Sequence, residues 1–285
     1  MAATALEDLA AYAASQNTTG LVLMQGGRML LEHNWPAADP AFAAVFVRGE
    51  TADGALIEDV ASQQKSLIAL LLGQAIDRGL LNDTRPVADI VGAGWTKASP
   101  AEEGAIAVRH LLQMTSGLTE QLAVEAPPGQ RFFYNTPAYA RLQRVLEVIA
   151  GQPLDALTRD WLSGPLGMAD TAWLPRPADL AQRSGNAWGL ATAPRDLAKL
   201  GGMVLDGGLT PNGTRLISPA ALADIFTPTA TNPAYGRLWW LNNGAWSIDP
   251  QGARREGRWV PSAPATWCSP SAPRAASSAS RRHGR

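Results

Sequence analysis

Glu58-Asp59-Val60-Ala61-Ser62-Gln63-Gln64-Lys65-Ser66, followed at once by Leu67-Ile68-Ala69-Leu70-Leu71-Leu72, reads as a helix start that is charged in front and apolar behind. Within it sits one Ser-x-x-Lys. Positions i and i+3 of a helix lie on one face, so the Ser62 hydroxyl and the Lys65 amine are expected to meet. That pairing supplies a base to a hydroxyl, which a serine nucleophile needs because a free hydroxyl is almost never ionised near neutral pH.

A tetrapeptide of this kind also arises by chance. The background of this chain makes chance less attractive. It carries 21 Arg but only three Lys, namely Lys65, Lys97 and Lys199, and with 15 Ser in 285 residues a random Ser three positions before any Lys has odds of roughly one in six. A surface lysine in so Arg-rich a chain is readily an arginine. A base is not, because a guanidinium does not release its proton whereas a desolvated ammonium does.

Composition bounds the rest. With 285 residues, 46% hydrophobic content and a net charge of −1, the chain resembles an ordinary soluble globular protein with a large core. No basic face is evident, so nucleic acid is not an expected partner. The one cysteine, Cys268, excludes an intrachain disulfide and a cysteine-rich zinc site. The three His are far apart in sequence and suggest no metal, and no cofactor is implied. The N-terminus, with Leu6-Glu7-Asp8-Leu9, does not follow the basic-then-apolar order of a signal peptide, and the aliphatic run Leu67–Leu72 is too short to span a bilayer. The expected setting is cytoplasmic, with no membrane partner and an oligomeric state left open.

Outward from the central stretch, the patterns predict a helix over 4–15 with Leu6, Leu9 and Tyr12 on one side. A hairpin over 20–33 follows, turning at Gly26-Gly27, then a loop over 36–56 with a short strand at 43–47. The central helix should run from Ser62 to Arg78 and stop at Gly79. Short helices alternate with loops over 84–125, and His110 reads as structural. A helix with the stripe Tyr139, Leu142, Val145, Leu146 and Ile149 ends at Gly151. Another spans Leu154–Leu162. Thr192 is expected to cap a helix that has Pro194 in its first turn, and Pro219–Phe226 to be helical. Tyr235–Leu241 reads as a strand, Asn242-Asn243-Gly244 as a turn and Ala245–Ile248 as the returning strand. No Gly-x-Ser-x-Gly occurs, so the nucleophile elbow of the α/β-hydrolases is absent.

Four ordered segments resemble the serine β-lactamase and penicillin-binding-protein superfamily, in its class C-like branch. Asp59-Val-Ala-Ser62-Gln-Gln-Lys65-Ser66 is similar to the active-site helix of that group. His110-Leu-Leu-Gln-Met-Thr-Ser-Gly-Leu118 resembles its His-Leu-Leu-x-His-Thr-Ser-Gly-Leu segment. Pro128-Gly-Gln-Arg-Phe-Phe-Tyr134-Asn-Thr136 resembles the segment with the catalytic tyrosine, and Gly189–Gly201 a later helix. The branch includes class C β-lactamases, D-alanyl peptidases, esterases and 6-aminohexanoate-dimer hydrolase.

The resemblance implies an α+β fold, with an antiparallel β-sheet flanked by helices plus a mostly helical lobe. With the pattern of elements above, that gives an α/β lobe at 1–79 and 226–260 and a helical lobe at 80–225, within a single domain. It implies cleavage of a small ester or amide, β-lactams included, through an acyl-serine. Ser62 is the implied nucleophile, Lys65 its base and Tyr134 a proton shuttle. Two departures stand out. The usual Tyr-x-Asn is here Tyr134-Asn135-Thr136, so the substrate-binding hydrogen bond falls to the Thr136 hydroxyl or to Asn135. No Lys-Thr-Gly or His-x-Gly follows Trp240, although a strand carrying such a motif would complete the oxyanion hole.

Residues 261–285 instead hold six Ala, six Ser, four Pro and four Arg. No Val, Ile, Leu, Met, Phe or Tyr follows Val260, a composition that suits a disordered tail and not a central strand. It is also what GC-rich codons give when read out of frame, so a frameshift near residue 260 is the expectation. The missing motif motivates an alternative of another class, a catalytically impaired binding or scaffold protein that keeps the fold.

Overall fold

The computed structural model describes residues 3–241 and 244–257. Helix α1 (Ala3–Ser15) forms as expected, but Tyr12 faces solvent and Ala13 is the buried residue. Strands β1 (Gly20–Gln25) and β2 (Arg28–Asn34) pair antiparallel around Gly26-Gly27. Both glycines have positive φ, which a two-residue hairpin turn demands and glycine supplies without steric cost.

The short strand expected at 43–47 is a helix for most of its length. Asp39 caps α2 (Pro40–Phe46) by accepting the Ala41 N–H at 2.8 Å, with Pro40 in the first turn. Cap and proline together outweigh the β preference of Val45 and Phe46. β3 (Val47–Glu50) then begins one residue later and pairs with β4 (Leu56–Asp59).

After β4, a single 3₁₀ turn at Ala61–Gln63 leads into α3 (Gln64–Asp77). This helix is the core of the molecule. Its residues from Leu67 to Leu72 are at most 1% exposed, and it packs against helices on both sides. A helix that is apolar all round belongs at the centre of a domain. Gly79, with φ of +70°, lies beyond its end.

The middle of the chain is helical as expected, with α4 (Ala88–Val91), α5 (Pro100–Gly104), α6 (Val108–Leu112), α7 (Thr136–Ala150) and α8 (Leu154–Thr158). α7 turns Tyr139, Leu142, Val145 and Leu146 inward, where it meets α3, and Gly151 closes it in the left-handed conformation.

Two strands arise inside the stretch assigned to the helical lobe. β5 (Ala172–Pro175) and β6 (Trp188–Thr192) flank α9 (Ala178–Ser184) and complete a four-stranded antiparallel sheet of order β3-β4-β6-β5. Asp59 and Ala191 are register partners across β4 and β6. Thr192 ends β6 and does not cap the next helix. The N-cap of α10 (Pro194–Leu205) is Ala193, which offers no side-chain cap. The Thr192 hydroxyl instead lies 2.7 Å from that of Thr171. α11 (Pro219–Ile225) is capped by Ser218 and packs on α3.

Tyr235–Leu241 is not a strand. It reverses on itself through one bridge between Tyr235 and Trp240, with Leu238 at φ of +60°. The N–H of Arg237 is taken by the Ile225 carbonyl and that of Leu238 by the Leu112 carbonyl, so tertiary acceptors replace a strand neighbour. The expected returning strand does form, as β7 (Trp246–Ile248), and its partner is β8 (Arg254–Glu256). The architecture is thus α+β, with antiparallel sheet and helices. The expected turn at Asn242-Asn243 and the tail at 261–285 lie outside the described residues.

Candidate active site

The end of β4 and the start of α3 build the site. Asp59, the last residue of β4, accepts the Ala61 N–H at 2.9 Å through Oδ1. Ala61 itself sits at φ of +47°, a conformation that costs an L-residue with a Cβ about 1–2 kcal/mol. The tight turn that results presents Ser62 to solvent while the chain behind it dives into the core. A 3₁₀ turn has three residues per turn, so Ser62 and Lys65 eclipse one another across the junction with α3. Lys65 Nζ donates to Ser62 Oγ at 3.1 Å.

Lys65 is buried, at 1% exposure, with no carboxylate bonded to its amine among the described residues. The rings of Tyr134 and Tyr139 lie 4.8 and 4.7 Å from Nζ and shut out water. Burial, helped by the positive charge of Arg176, pulls the Lys65 amine down from 10.5 to about 7. A cation facing two aromatic rings would favour the ammonium by roughly 1–2 kcal/mol, but lost hydration outweighs it.

Tyr134 neighbours both Lys65 and Ser62, and the Ser62 hydroxyl acts on its phenol. Burial pushes the Tyr134 phenol up to about 12, against a smaller opposing effect of the Ser62 hydroxyl. The two neighbours of Ser62 are therefore driven apart. Near pH 7 the amine is divided between charged and neutral forms, and the phenol keeps its proton. Such a split distinguishes a proton acceptor from a proton carrier. Trp240 stacks on Tyr134 at 5.9 Å, and Tyr235 meets it edge-on at 6.2 Å.

The structure brings Ser62, Lys65 and Tyr134 together. Asn135 goes elsewhere. Its amide nitrogen donates to the carbonyls of Leu118 and Thr119, both at 2.9 Å, and its oxygen caps α7 by accepting the Ala138 N–H at 3.0 Å. With both amide hydrogens used and 1% exposure, Asn135 braces the loop below Tyr134. Thr136, the first residue of α7, is half-buried and lines a cavity of 930 Å³ with Pro137, Arg141, Asn186 and Trp188. Neither Ser62 nor Lys65 lines that cavity, so its volume does not locate the chemistry. His110 is structural, its Nδ1 accepting the Ala107 N–H at 3.0 Å. Lys199 is held by Asp196 and the Gly167 carbonyl.

Sequence reasoning missed the layer behind the dyad. Arg176 grips Asp59 with two hydrogen bonds, Nε to Oδ2 at 2.7 Å and Nη2 to Oδ1 at 2.9 Å. Gly189 of β6 makes room for this pair, since a Cβ there would lie 2.1 Å from Asp59 Oδ2. The charged residue three before Ser62 was the available signal. Its partner is one arginine among 21 and has no local mark.

Comparison with known proteins decides the family. The beta-lactamase family model matches residues 8–267. The chain belongs to the beta-lactamase family. A curated relative is penicillin-binding protein 4 of Amycolatopsis lactamdurans. It is 29% identical over 254 residues, with 67% of this chain and 65% of that protein covered. The chain thus spans 65% of the length of that relative. Among solved structures, a candidate beta-lactamase from Bacteroides dorei superposes with a TM-score of 0.67 at 19% identity, covering 90% of this chain and 84% of the other. A penicillin-binding protein from Bacillus halodurans gives a TM-score of 0.60 at 18% identity, covering 85% and 88%. These likenesses establish the fold shared with the family. The family match reaches Trp267, seven residues beyond Val260.

Proposed function

We propose that this protein is a serine hydrolase that cleaves a small ester or amide through an acyl-Ser62 intermediate. The observation that carries the reading is the buried Lys65 amine, pulled down to about 7 and 3.1 Å from an exposed Ser62 hydroxyl. In its neutral form the amine takes the Ser62 proton as Oγ attacks the carbonyl carbon. The protonated Tyr134 hands its proton to the leaving group and takes in exchange the proton held by Lys65, which restores the neutral amine; water then releases the acyl group and returns the proton to Ser62. No helix among the described residues is long and apolar enough to cross a membrane.

The test is labelling with a fluorophosphonate or a penicillin, followed by peptide mass spectrometry. Covalent mass on the Ser62 peptide in wild type and none in Ser62→Ala is the expected result. Labelling elsewhere but not at Ser62 would refute the assignment. The missing Lys-Thr-Gly or His-x-Gly favours one competing reading, a fold retained for binding alone, because losing an oxyanion donor costs on the order of 100–1000-fold in kcat. Equal background turnover of a p-nitrophenyl ester by wild type and Ser62→Ala would support that second reading.

A further inference from the structure

An ion pair buried as deeply as Asp59 and Arg176, at 1% and 5% side-chain exposure, is an expensive way to join two strands. Its place in the fold gives it more to do. Asp59 Oδ1 is shared between Arg176 Nη2 and the N–H of Ala61, the positive-φ residue immediately before Ser62. Arg176 is anchored in turn, its own N–H donating to the Ala187 carbonyl at 2.9 Å, just before β6. Gly189 supplies the gap in which the carboxylate sits. The turn that presents the nucleophile is therefore tied to β5 and β6 through one carboxylate.

We propose that Asp59 and Arg176 are positioning residues for the Ser62–Lys65 pair: Asp59 holds the turn that aims Ser62, and Arg176 fixes Asp59 while its positive charge faces the Lys65 amine. This inference rests on the hydrolase reading of Ser62 and Lys65. The charged and titratable groups around Lys65 are Asp59 of β4 and Arg176 after β5, with Tyr134 and Tyr139 on the α7 side. Arg48 of β3 stands behind Asp59 at 3.9 Å. The Arg176 charge already acts on Lys65, and both members of the pair act on Tyr139.

The sign of each perturbation follows. Arg176→Gln removes the positive charge that acts on Lys65, which favours the ammonium form. Asp59→Asn keeps an oxygen for the Ala61 N–H but leaves Arg176 as an uncompensated cation, which disfavours the ammonium. A merely structural pair would lower rates in both variants without moving the pH profile in opposite directions.

The experiment measures the rate of Ser62 labelling by a penicillin or a fluorophosphonate against pH. In Arg176→Gln the rising limb is expected to move up by about one pH unit, and in Asp59→Asn down by about one unit. Arg176→Lys keeps the charge but not the two-pronged grip. Its limb should stay in place while the plateau rate falls on the order of tenfold through misplacement of Ser62. Should the first two variants not fold, Arg176→Lys carries the test, and an unchanged plateau overturns the inference. Limbs that move together, or not at all, in variants that still label Ser62 overturn this inference and leave the hydrolase reading standing. A wild-type protein unlabelled at Ser62 overturns both.

Discussion

Lys65→Met tests the central premise through stability as well as reactivity. Methionine keeps the length and apolar stem of the side chain and deletes only the amine. In the folded protein that amine titrates at about 7, against 10.5 for the ordinary group. Below pH 7 it is protonated in both folded and unfolded chains, and the folded state bears the full cost of burying a charge. Between pH 7 and 10.5 the unfolded chain binds more protons than the folded one, so wild-type stability rises with pH at about 1.4 kcal/mol per unit. All other titrations are common to both proteins and cancel in the difference. From pH 6 to pH 9 wild type should therefore gain about 2.6 kcal/mol relative to Lys65→Met. Paired urea denaturation curves at the two pH values measure this directly. The same variant should not acylate at Ser62, and wild-type acylation should fall about tenfold per unit below pH 6. A wild-type-minus-variant difference that stays flat between pH 6 and 9 would show that Lys65 is an ordinary ammonium, and the base assignment would fall with it.

Tyr134→Phe should slow acylation roughly 10–100-fold, since water can replace one hydroxyl, with a melting temperature close to wild type; stopped-flow labelling alongside a thermal melt checks both. Asn135→Ala removes the cap of α7 and strands the carbonyls of Leu118 and Thr119. It should cost roughly 2–4 kcal/mol in urea denaturation, whereas a role confined to substrate contact would leave stability untouched. Gly189→Ala places a methyl 2.1 Å from Asp59 Oδ2 and should destabilise by roughly 1–3 kcal/mol. A variant of wild-type stability would mean that β6 yields easily at this point.

The parts of the site that are local in sequence could be read from it. Ser62 and Lys65 are one turn apart, and the scarcity of lysine made the second stand out. The stripe on α7 and the Gly26-Gly27 turn follow from period and backbone chemistry. The parts that depend on tertiary partners could not. Ala43–Phe46 looks like a strand until Asp39 and Pro40 are weighed as helix-starting residues. β5 is four residues ending in proline, too short to show alternation. Tyr235–Leu241 has the composition of a strand, yet its N–H groups find acceptors at Ile225 and Leu112. Asn135 and Thr136 were alternatives for one hydrogen bond, and sequence spacing says nothing about which amide is used by a neighbouring loop. Arg176 carries no signature at all, because its meaning lies in the residue it meets.

That meeting has a consequence in time. Asp59 and Arg176 are separated by 117 positions, and Gln64, at the start of α3, accepts the N–H of Leu190 across 126. At ordinary ribosome speeds of about 5–20 residues per second, Arg176 is synthesised roughly 6–23 s after Asp59. Until Tyr134, Tyr139 and Arg176 have been made, the Lys65 amine lacks the groups that surround it in the folded protein, and an amine in water keeps its proton at neutral pH. On the proposed function, the Ser62–Lys65 pair is therefore unarmed until the fold that surrounds the amine has assembled.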